Sequence, residues 1–224
     1  MFNMTQNVVI YGDSDFAEQI YYQLETDGRY KILAFTVDKS RYQKKTVKNI
    51  PVIPFQNLSN YYSSERICIF PAIGYSKLNK IRENVISEIQ ANGFRLLTYI
   101  SKNAVISESA KIDEGSYICE FVSIGANSKI GVSTIILPHS SIAHDVTISN
   151  FAFLSHSVTI GGKSCIKSYS FLGLGCTVKN DITIEECNII GSGANVIKST
   201  KFNGVYVGNP AKLIKDVDFN NLGI

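Results

Sequence analysis

The side chains of this 224-residue chain best suited to proton transfer at neutral pH are its three histidines, His139, His144 and His156. Imidazole titrates near neutrality, so it can serve as a general base or acid. His144 is followed directly by a carboxylate, Asp145, which could orient the ring and stabilise the imidazolium. Adjacent residues on an extended strand point to opposite sides. This pair therefore meets only if a turn bends the chain, or else across a subunit boundary.

Metal and thiol chemistry find little support in the sequence. The three histidines have no spacing typical of a metal site, so no metal is expected. The five cysteines are an odd number, widely spaced and without a C-x-x-C pair. We interpret them as reduced packing residues that imply neither a disulfide nor zinc, and none lies in a recognisable nucleophile motif.

Composition and charge exclude further classes of protein. Lys and Arg total 22 against 19 Asp and Glu, a net charge of +3 spread along the chain, so a nucleic-acid partner is not expected. No apolar run approaches the ~18 residues of a membrane span, and the N-terminus lacks the positive region of a signal peptide. We expect a soluble, cytoplasmic protein without a membrane partner.

An aliphatic residue recurs every six positions from Ile106 to Val196, sixteen times in sixteen, and small or β-branched residues mostly occupy the positions two earlier. This period fits neither a helix nor a simple strand, but it fits a coil of three short strands joined by tight turns. The aliphatic side chains would point inward and stack between coils. Sixteen hexads make a little over five coils, and no insertion forms a projecting loop. A β-sandwich with coincidental spacing is the disfavoured alternative.

The first hundred residues have a different pattern, in which strand alternates with helix. Strands are predicted at 8–11, 32–37, 67–73 and 95–99, and helices at 16–24 and from Leu78 to Ile89. A proline-punctuated stretch, 51–55, lies between the second and third strands. This alternation predicts a small parallel sheet covered on both faces, an α/β Rossmann-like domain.

Three turns of this sheet are candidates for ligand binding, because ligands of parallel sheets bind beyond the carboxyl ends of the strands. The turns, which could line one crevice, are Gly12 to Phe16, Asp38 with Lys39, and Gly74 to Lys77. The first keeps only the first glycine of G-x-G-x-x-G, and its aspartates would repel a pyrophosphate, so NAD is not expected. The alternative is that Gly12 serves only a strand-to-helix turn.

The chain as a whole resembles the hexapeptide-repeat sugar acetyltransferases, which include bacillosamine-pathway and perosamine N-acetyltransferases and sialic-acid O-acetyltransferases. The resemblance rests on the repeat, on the segments Y-G-x-S/G-x-F, A-F-x-V-D and A-I-G, and on the closing Gly204–Lys212. It implies a Rossmann-like nucleotide-sugar-binding domain (1–101), a left-handed parallel β-helix (102–200) and a tail completing the acyl-CoA site (201–224). It also implies a homotrimer that binds acyl-CoA between neighbouring subunits.

The same resemblance assigns roles to individual residues. It implies that His144 is the general base, with Asp145 beside it, and that the Gly162 N–H donates to the thioester oxyanion. Contacts with the nucleotide sugar are implied for Gly12, Ser14, Asp15, Phe16, Asp38, Gly74 and His156. Contacts with acetyl-CoA, the co-substrate, are implied for Gly162, Leu174, Ser192, Asn209 and Lys212. The Asp38 carboxylate could accept hydrogen bonds from a base or ribose.

Some of these assignments have alternatives at the sequence level. His156 matches a serine–histidine segment of one subgroup, whereas other members carry a histidine where this chain has Phe153, so substrate contact and surface placement both stay open. His139 has no counterpart that we can name. Lys212 and Lys215 fit either coenzyme A phosphates or a solvated basic tail, and several glycines of the repeat simply serve turns.

The function that the resemblance implies is acetyl transfer from acetyl-CoA to an amino group on a nucleotide-linked deoxysugar, for surface-glycan synthesis. Direct attack needs no acyl-enzyme. Sugar O-acetylation of the sialic-acid type is the first alternative. A non-catalytic, sugar-nucleotide-binding trimer is the second, and a redox enzyme using the N-terminal domain is the third.

Overall fold

The computed structural model describes residues 5–219 of the chain. Within this range, the chain forms two compact units. The first comprises residues 5–74 and Arg82–Leu97, and the second comprises Tyr75–Ile81 and residues 98–219. The short segment Tyr75–Ile81 therefore packs with the repeat, although it precedes the repeat by some twenty residues.

The first unit is built around a twisted sheet. Its strands, with the helices that connect them, are in chain order β1 (Gln6–Tyr11), α1 (Asp15–Asp27), β2 (Tyr30–Val37), a 3₁₀-helix (Lys39–Arg41), β3 (Thr46–Val47), β4 (Ile50–Pro54), a 3₁₀-helix (Phe55–Asn60), β5 (Cys68–Pro71), α2 (Lys80–Ala91) and β6 (Arg95–Leu96). Among the described residues, the strand order is β3-β4-β2-β1-β5-β6. The pairs are parallel except for β3 with β4.

Strand β1 lies inside this sheet, paired with β2 on one side and with β5 on the other, and both of its faces are covered. Val8, Val9 and Ile10 are all fully buried, as a continuous apolar run predicts for a central parallel strand. Helix α1 buries Ala17, Ile20 and Leu24, which share one helical face. Neither α1 nor α2 is long and apolar enough to cross a membrane, and the rest of residues 5–219 contains no helix that is.

The structure corrects the predicted elements in three places. Residues 50–54, which the sequence left unassigned, form β4 in parallel with β2. The single strand predicted at 95–99 is two, because Arg95–Leu96 pairs with β5 whereas Tyr99–Ile100 joins the repeat. Helix α2 begins only at Lys80, since the three residues before it have φ angles of 48° to 67°, a left-handed conformation that a helix cannot contain.

The second unit is a parallel β-helix. Its strands are β7 (Tyr99–Ile100), β8 (Val105–Ile106), β9 (Lys111–Ile112), β10 (Tyr117–Ile118), β11 (Ser123–Ile124), β12 (Lys129–Ile130), β13 (Ile135–Ile136), β14 (Ser141–Ile142), β15 (Thr147–Ile148), β16 (Phe153–Leu154), β17 (Thr159–Ile160), β18 (Cys165–Ile166), β19 (Phe171–Leu172), β20 (Thr177–Val178), β21 (Thr183–Ile184), β22 (Ile189–Ile190), β23 (Asn195–Val196), β24 (Gly204–Val207) and β25 (Lys212–Asp216). The pairs are parallel except for β24 with β25.

The strands of the described range stack into three sheets, which form the faces of the column. Face 1 holds every third strand from β7 to β22, with β24 and β25 at its end, face 2 runs from β8 to β23, and face 3 runs from β9 to β21. Residues 18 apart are partners, as Ile124, Ile142 and Ile160 show on face 2. The predicted fold, a Rossmann-like unit followed by a parallel β-helix, is confirmed.

The six-residue period marks the core of the column. All sixteen periodic aliphatic residues lie in the described range, and all but Ile106 and Ile112 are buried. These two lie on β8 and β9, the end strands of faces 2 and 3, which have a neighbour on one side only. Each fully buried side chain contributes roughly 1.5–3 kcal/mol of hydrophobic stabilisation, and the stacking makes this gain depend on the adjacent coil.

Each corner of the column depends on one residue in the left-handed conformation. From Phe121 to Gly193 every sixth residue has a φ between 51° and 67°. Most of these residues are not glycine, although left-handed φ is uncommon for other residues. Asp145, with φ 58°, is one of them. The chain therefore bends at the residue after His144.

Buried hydroxyl groups link consecutive coils at these corners. Ser128, for example, donates to the Ala143 carbonyl (2.8 Å) and accepts from the Val146 N–H (3.1 Å). Ser140 and Ser164 make the same pair of hydrogen bonds in their own coils. Serine at this inner position therefore pairs backbone groups that burial would otherwise leave unsatisfied.

Asn188 extends this bonding at the C-terminal end of the column, and it supports a stability prediction. The side chain is fully buried, its amide nitrogen lies within hydrogen-bond distance of three acceptors, and its oxygen accepts from the Gly204 N–H (2.8 Å). Asn188→Ala removes all of these hydrogen bonds and leaves the buried Gly204 N–H without its acceptor, so we expect the free energy of unfolding to fall by roughly 3 kcal/mol. Urea denaturation measures the change. The exposed Asn180→Ala is the control and should change it by less than about 0.5 kcal/mol; equal midpoints for the two variants would contradict the prediction.

Candidate active site

His144 and Asp145 lie together at the corner between faces 2 and 3, called here the second corner (residues 125–128, 143–146, 161–164 and 179–182). The bend at Asp145 brings the two side chains to the same side, with Nδ1 of His144 2.8 Å from Oδ2 of Asp145. The side chains are 58% and 41% exposed. Because an ionised carboxylate only accepts, Nδ1 carries the shared proton, and Nε2 is left with a lone pair that can accept another.

Two neighbouring coils support the carboxylate of Asp145. Asn127, 18 residues earlier, donates its side-chain amide to Oδ1 (3.2 Å). The hydrogen bonds from His144 and Asn127, in that order, and the positive charge of Lys163 lower the pKa of Asp145 below its usual value. Asp145 therefore stays ionised at neutral pH, which keeps the acceptor for the imidazole proton in place.

Gly162 lies against the imidazole from the next coil. A Cβ atom built on Gly162 would lie 2.8 Å from Nε2 and 2.9 Å from Cε1 of His144, so any other residue type here would force the imidazole to move. The Gly162 carbonyl accepts from the Asp181 N–H (3.0 Å). Its own N–H has no acceptor within residues 5–219. The structure thus brings His144, Asp145 and Gly162 together, with an unused donor beside the ring.

His156, Leu174 and Ser192 lie at a different corner from His144. They follow β16, β19 and β22 at intervals of 18 residues, at the corner between faces 1 and 2, called here the first corner (residues 119–122, 137–140, 155–158, 173–176 and 191–194). All three are exposed. Face 2 therefore separates these residues from Gly162 within one chain.

His139 also lies at the first corner, and its ring stacks on Phe121, with centroids 4.9 Å apart and planes 14° apart. Phe153, by contrast, is on face 1 and is only 5% exposed, because Tyr75 and Phe171 pack against it at 5.0 and 5.5 Å. The side chain at position 153 is thus part of an aromatic cluster in this chain.

The candidate coenzyme A residues near the C-terminus lie on a hairpin formed by β24 and β25. Asn209 is in the turn between the strands, and its Oδ1 accepts from Nδ2 of Asn195 on face 2 (3.0 Å). Ala211 donates its N–H to the Asn195 carbonyl (2.8 Å), and Lys212 is exposed on β25. These hydrogen bonds tie the hairpin turn to face 2.

In the first unit, Gly12 ends β1 at the point where the neighbouring strands β2 and β5 also end. Its φ is 127°, and a Cβ atom there would lie 3.0 Å from the Ala72 carbonyl oxygen. Its N–H donates to the Thr36 carbonyl (2.8 Å). Glycine is required here by both conformation and space, so a strand-to-helix turn alone would explain it. The three candidate turns nevertheless lie at the carboxyl ends of three adjacent strands.

The residues after Gly12 begin helix α1. Ser14 occupies the N-cap position, although within the described residues its side chain makes no capping hydrogen bond. Ser14 and Asp15 are exposed, whereas Phe16 is half-buried. Lys44 donates its ammonium to the Asp13 carbonyl (2.7 Å). The N-terminus of α1 thus has an unused hydroxyl and a lysine next to its turn.

Asp38 follows β2, and its carboxylate is held by hydrogen bonds. One oxygen accepts from the N–H (2.8 Å) and hydroxyl of Ser40, and the other accepts from the amide of Gln56 (2.7 Å). These contacts lower the pKa of Asp38 below its usual value, with Ser40 as the largest cause. Gly74, by contrast, has ordinary backbone geometry and open space where a Cβ would lie, so neither requires a glycine there.

Burial makes at least two of the cysteines poor candidates for nucleophilic chemistry. All five cysteines are free, and burial raises the pKa of Cys119 and Cys176 to about 12. A protonated, buried thiol is a poor nucleophile. Within residues 5–219 no cluster of three His, Cys, Asp or Glu side chains could hold a metal ion.

Two family models match the chain, one over each part. The GMPPB C-terminal domain matches residues 99–221, more than half of the chain, and the PglD N-terminal domain matches residues 7–89. Over residues 99–221 the chain belongs to the family of the GMPPB C-terminal domain. Together with the match to the PglD N-terminal domain and the similarity to perosamine N-acetyltransferases, this confirms the predicted resemblance to hexapeptide-repeat sugar acetyltransferases.

Individual members of this family have similar sequences and structures. GDP-perosamine N-acetyltransferase of Escherichia coli O157:H7 is 30% identical over 115 residues, which cover 51% of this chain and 52% of the relative. This chain thus spans about half the length of that curated relative. A histidine variant of perosamine N-acetyltransferase from Caulobacter crescentus, in complex with CoA and GDP-perosamine, is 25% identical with a TM-score of 0.84, over 94% of this chain and 97% of that one.

The fold is shared more widely within the family. The acetyltransferase domain of PglB from Neisseria gonorrhoeae, solved with acetyl coenzyme A, has a TM-score of 0.81 at 24% identity, over 94% of this chain and all of that one. Its likeness shows that both parts of the chain have the family's fold.

Sequence reasoning did not find Asn127, which holds one oxygen of Asp145, or the polar surface of face 2. The outward residues of that face include Ser123, Ser141 and Thr159, and Ser123 donates its hydroxyl to that of Ser141 (3.1 Å). The 18-residue spacing could have revealed both, since Asn127 precedes Asp145 by one full coil.

Proposed function

We propose that this protein transfers the acetyl group of acetyl-CoA to the amino group of a nucleotide-linked deoxysugar, as a step in surface-glycan synthesis. The observation that carries the proposal is the contact of His144 Nδ1 with Asp145 Oδ2, 2.8 Å long, which leaves Nε2 as a base beside the unused Gly162 N–H. Family membership supports the reaction class. The Caulobacter relative, which binds CoA and GDP-perosamine, supports the two substrates.

The proposed mechanism is a direct attack. The acceptor amine attacks the thioester carbonyl carbon, and Nε2 of His144 takes the proton that the nitrogen loses as the N–C bond forms. The Gly162 N–H donates to the developing oxyanion. When the C–S bond breaks, the coenzyme A sulfur receives the proton from the imidazolium, and His144 returns to its starting state. Asp145 stabilises the imidazolium between these steps.

The nucleotide is assigned to the first unit. Gly12, Ser14, Asp15, Phe16, Asp38 and Gly74 would contact it at the carboxyl edge of the sheet. What supports this assignment is the match of residues 7–89 to the PglD N-terminal domain and the carboxylate of Asp38, held ionised at the end of β2. His156 is proposed to contact the acceptor. Leu174, Ser192, Asn209 and Lys212 are proposed to contact coenzyme A.

The proposal includes a cytoplasmic homotrimer whose clefts hold the substrates. Two of the proposed coenzyme A contacts, Leu174 and Ser192, lie at the first corner, and face 2 separates them from His144 at the second corner. This separation supports the assembly. A neighbouring copy could supply the missing wall of the cleft. Sedimentation analysis tests the assembly, and a monomer that is fully active would contradict it.

The experiment that tests the function is product analysis with a panel of acceptors. The protein is incubated with acetyl-CoA and 3-amino or 4-amino NDP-sugars, or with free sialic acid, and products are identified by mass spectrometry. We expect a singly acetylated NDP-sugar that resists hydroxylamine, because an amide survives a treatment that cleaves an ester. A labile ester would instead indicate O-acetylation. If no product forms and calorimetry detects no binding of acetyl-CoA, a non-catalytic trimer is favoured. If a fluorescence titration detects binding of NADH, a redox enzyme is favoured.

Asp38 provides a test of the nucleotide site. Asp38→Asn removes the negative acceptor, so we expect KM for the nucleotide sugar to rise about tenfold or more, with kcat and KM for acetyl-CoA unchanged. Because the pKa of Asp38 is lowered, the wild-type carboxylate is retained down to acidic pH, and binding weakens only as pH falls through that lowered value. The exposed Asp113→Asn is the control. A KM equal in the two variants would remove Asp38 from the site.

A further inference from the structure

Asn127 lies one coil before Asp145 at the second corner, in the same position of its turn. Both residues have left-handed backbones, with φ of 60° and 58°. The Asn127 N–H donates to Ser109 Oγ (3.0 Å), which anchors its turn to the preceding coil. Its side-chain amide donates to Asp145 Oδ1 (3.2 Å). Asn127 therefore links the dyad to a part of the column that does not touch the imidazole.

The contacts of Asp145 divide between its two oxygens. Oδ2 contacts the imidazole at 2.8 Å, and Oδ1 accepts from Asn127. Rotation of the carboxylate about its Cβ–Cγ bond would break one of these hydrogen bonds, so the pair of contacts sets the plane of the group. The titratable or charged groups facing Asp145 are the imidazole of His144 on its own turn and the ammonium of Lys163 from the next coil.

We propose that Asn127 is a positioning residue for acetyl transfer: by holding Oδ1, it keeps Oδ2 directed at Nδ1 of His144 and so keeps the imidazole proton on Nδ1. The inference rests on the proposed function and deepens it. Nε2 is the base only when the proton is on Nδ1, because an Nε2–H tautomer has no lone pair there. Asn127 thus acts through Asp145 and does not itself contact the reacting atoms.

The simplest alternative is that Asn127 serves only its turn, since asparagine tolerates left-handed φ better than most residues. The chain offers a way to separate the two roles. Gly175 and Gly193 occupy the same turn position at the first corner, with φ of 63° and 67°. Asn127→Gly should therefore preserve the turn while it removes the amide, and Asp181→Gly (φ 57°) is the matched control at the same corner.

The kinetic test compares these variants with wild type. We expect Asn127→Gly to lower kcat about three- to tenfold at unchanged KM for acetyl-CoA, and Asp181→Gly to stay within about twofold. Asn127→Asp keeps the shape but places a second carboxylate beside Asp145. Its negative charge should retain the imidazolium to higher pH, so the acid limb of kcat should move upward by about half to one pH unit. If both Asn127 variants have the kcat and the pH profile of the wild type, the proposal is overturned.

A double-mutant cycle tests whether Asn127 acts through Asp145. Asp145→Gly also preserves its turn, and in that background Asn127→Gly should cause no further loss of kcat, because the group it positions is gone. Independent, multiplicative losses would contradict the proposal. Nitrogen-15 shifts of the His144 ring give a readout that needs no activity: Asn127→Gly should increase the Nε2–H tautomer, whereas a turn-only role predicts no change. If wild-type protein transfers no acetyl group, the proposed function fails while this measurement still decides the role of Asn127.

Discussion

Replacing His144 with asparagine is expected to lower kcat for acetyl transfer by about 100-fold or more, the contribution of a positioned general base. Asparagine is close to histidine in size and can still donate to Asp145, but it offers no basic nitrogen to the acceptor amine. KM for acetyl-CoA and the oligomeric state should not change, because the side chain is 58% exposed and supports no part of the core. Steady-state kinetics with both substrates varied measures the effect.

The other two histidines serve as matched controls for this experiment. His139→Asn, at the exposed stack with Phe121, should leave kcat within about twofold. His156→Asn should raise KM for the acceptor without the large fall in kcat, if His156 contacts substrate as proposed. Turnover by His144→Asn close to that of wild type would remove His144 from the mechanism.

Gly162→Ala should have an effect of similar size for a different reason. The new methyl group would lie 2.8 Å from Nε2, so the imidazole must move by several tenths of an ångström or more. Misplacing a catalytic group by about 1 Å can cost about 100-fold in rate. The variant retains the N–H of residue 162, so a fall in kcat would result from displacement of the His144 imidazole and not from loss of the oxyanion donor. We expect kcat to fall by about that factor while the melting temperature stays near the wild-type value.

Gly131→Ala is the control that separates displacement of the imidazole from general damage to the column. Its Cβ would lie 2.8 Å from the backbone nitrogen of Asn150. Gly131 follows β12 at a different corner of the column from His144. A backbone atom cannot rotate away as a side chain can, so this variant should lower the melting temperature. Folded Gly131→Ala protein should nevertheless keep its activity per molecule. Gly162→Ala that is fully active would show that the imidazole has another productive position.

The column could be predicted from sequence because its core repeats with a single period. Every hexad places one aliphatic residue inside, so sixteen positions all indicate the same structure. The register of Ile124 against Ile142 and Ile160 follows from the spacing alone. The first unit has no such repeat. The prolines of Ile50–Pro54 are unfavourable in a strand, so β4 was not predicted. No residue between Arg95 and Ile100 indicates that this segment forms two strands in different sheets.

The candidate site was predictable in residue type but not in geometry. Whether His144 meets Asp145 depends on φ at Asp145, which is 58°, and a single histidine–aspartate pair in a sequence does not reveal that angle. Asn127 was missed because its partner is a full coil away. The left-handed residues recur every six positions, so the repeat could have located the corners and aligned Asn127 with Asp145 one coil later, but it could not have shown the hydrogen bond between the two side chains.

The proposed mechanism depends most on one distance, that between the acceptor nitrogen and Nε2 of His144. A crystal structure of the protein with CoA and a nucleotide-linked amino sugar measures it. We predict that the sugar nitrogen lies within about 3.5 Å of Nε2 and of the coenzyme A sulfur. An amino group more than about 6 Å from Nε2, in a complex with both substrates in place, would contradict the central claim.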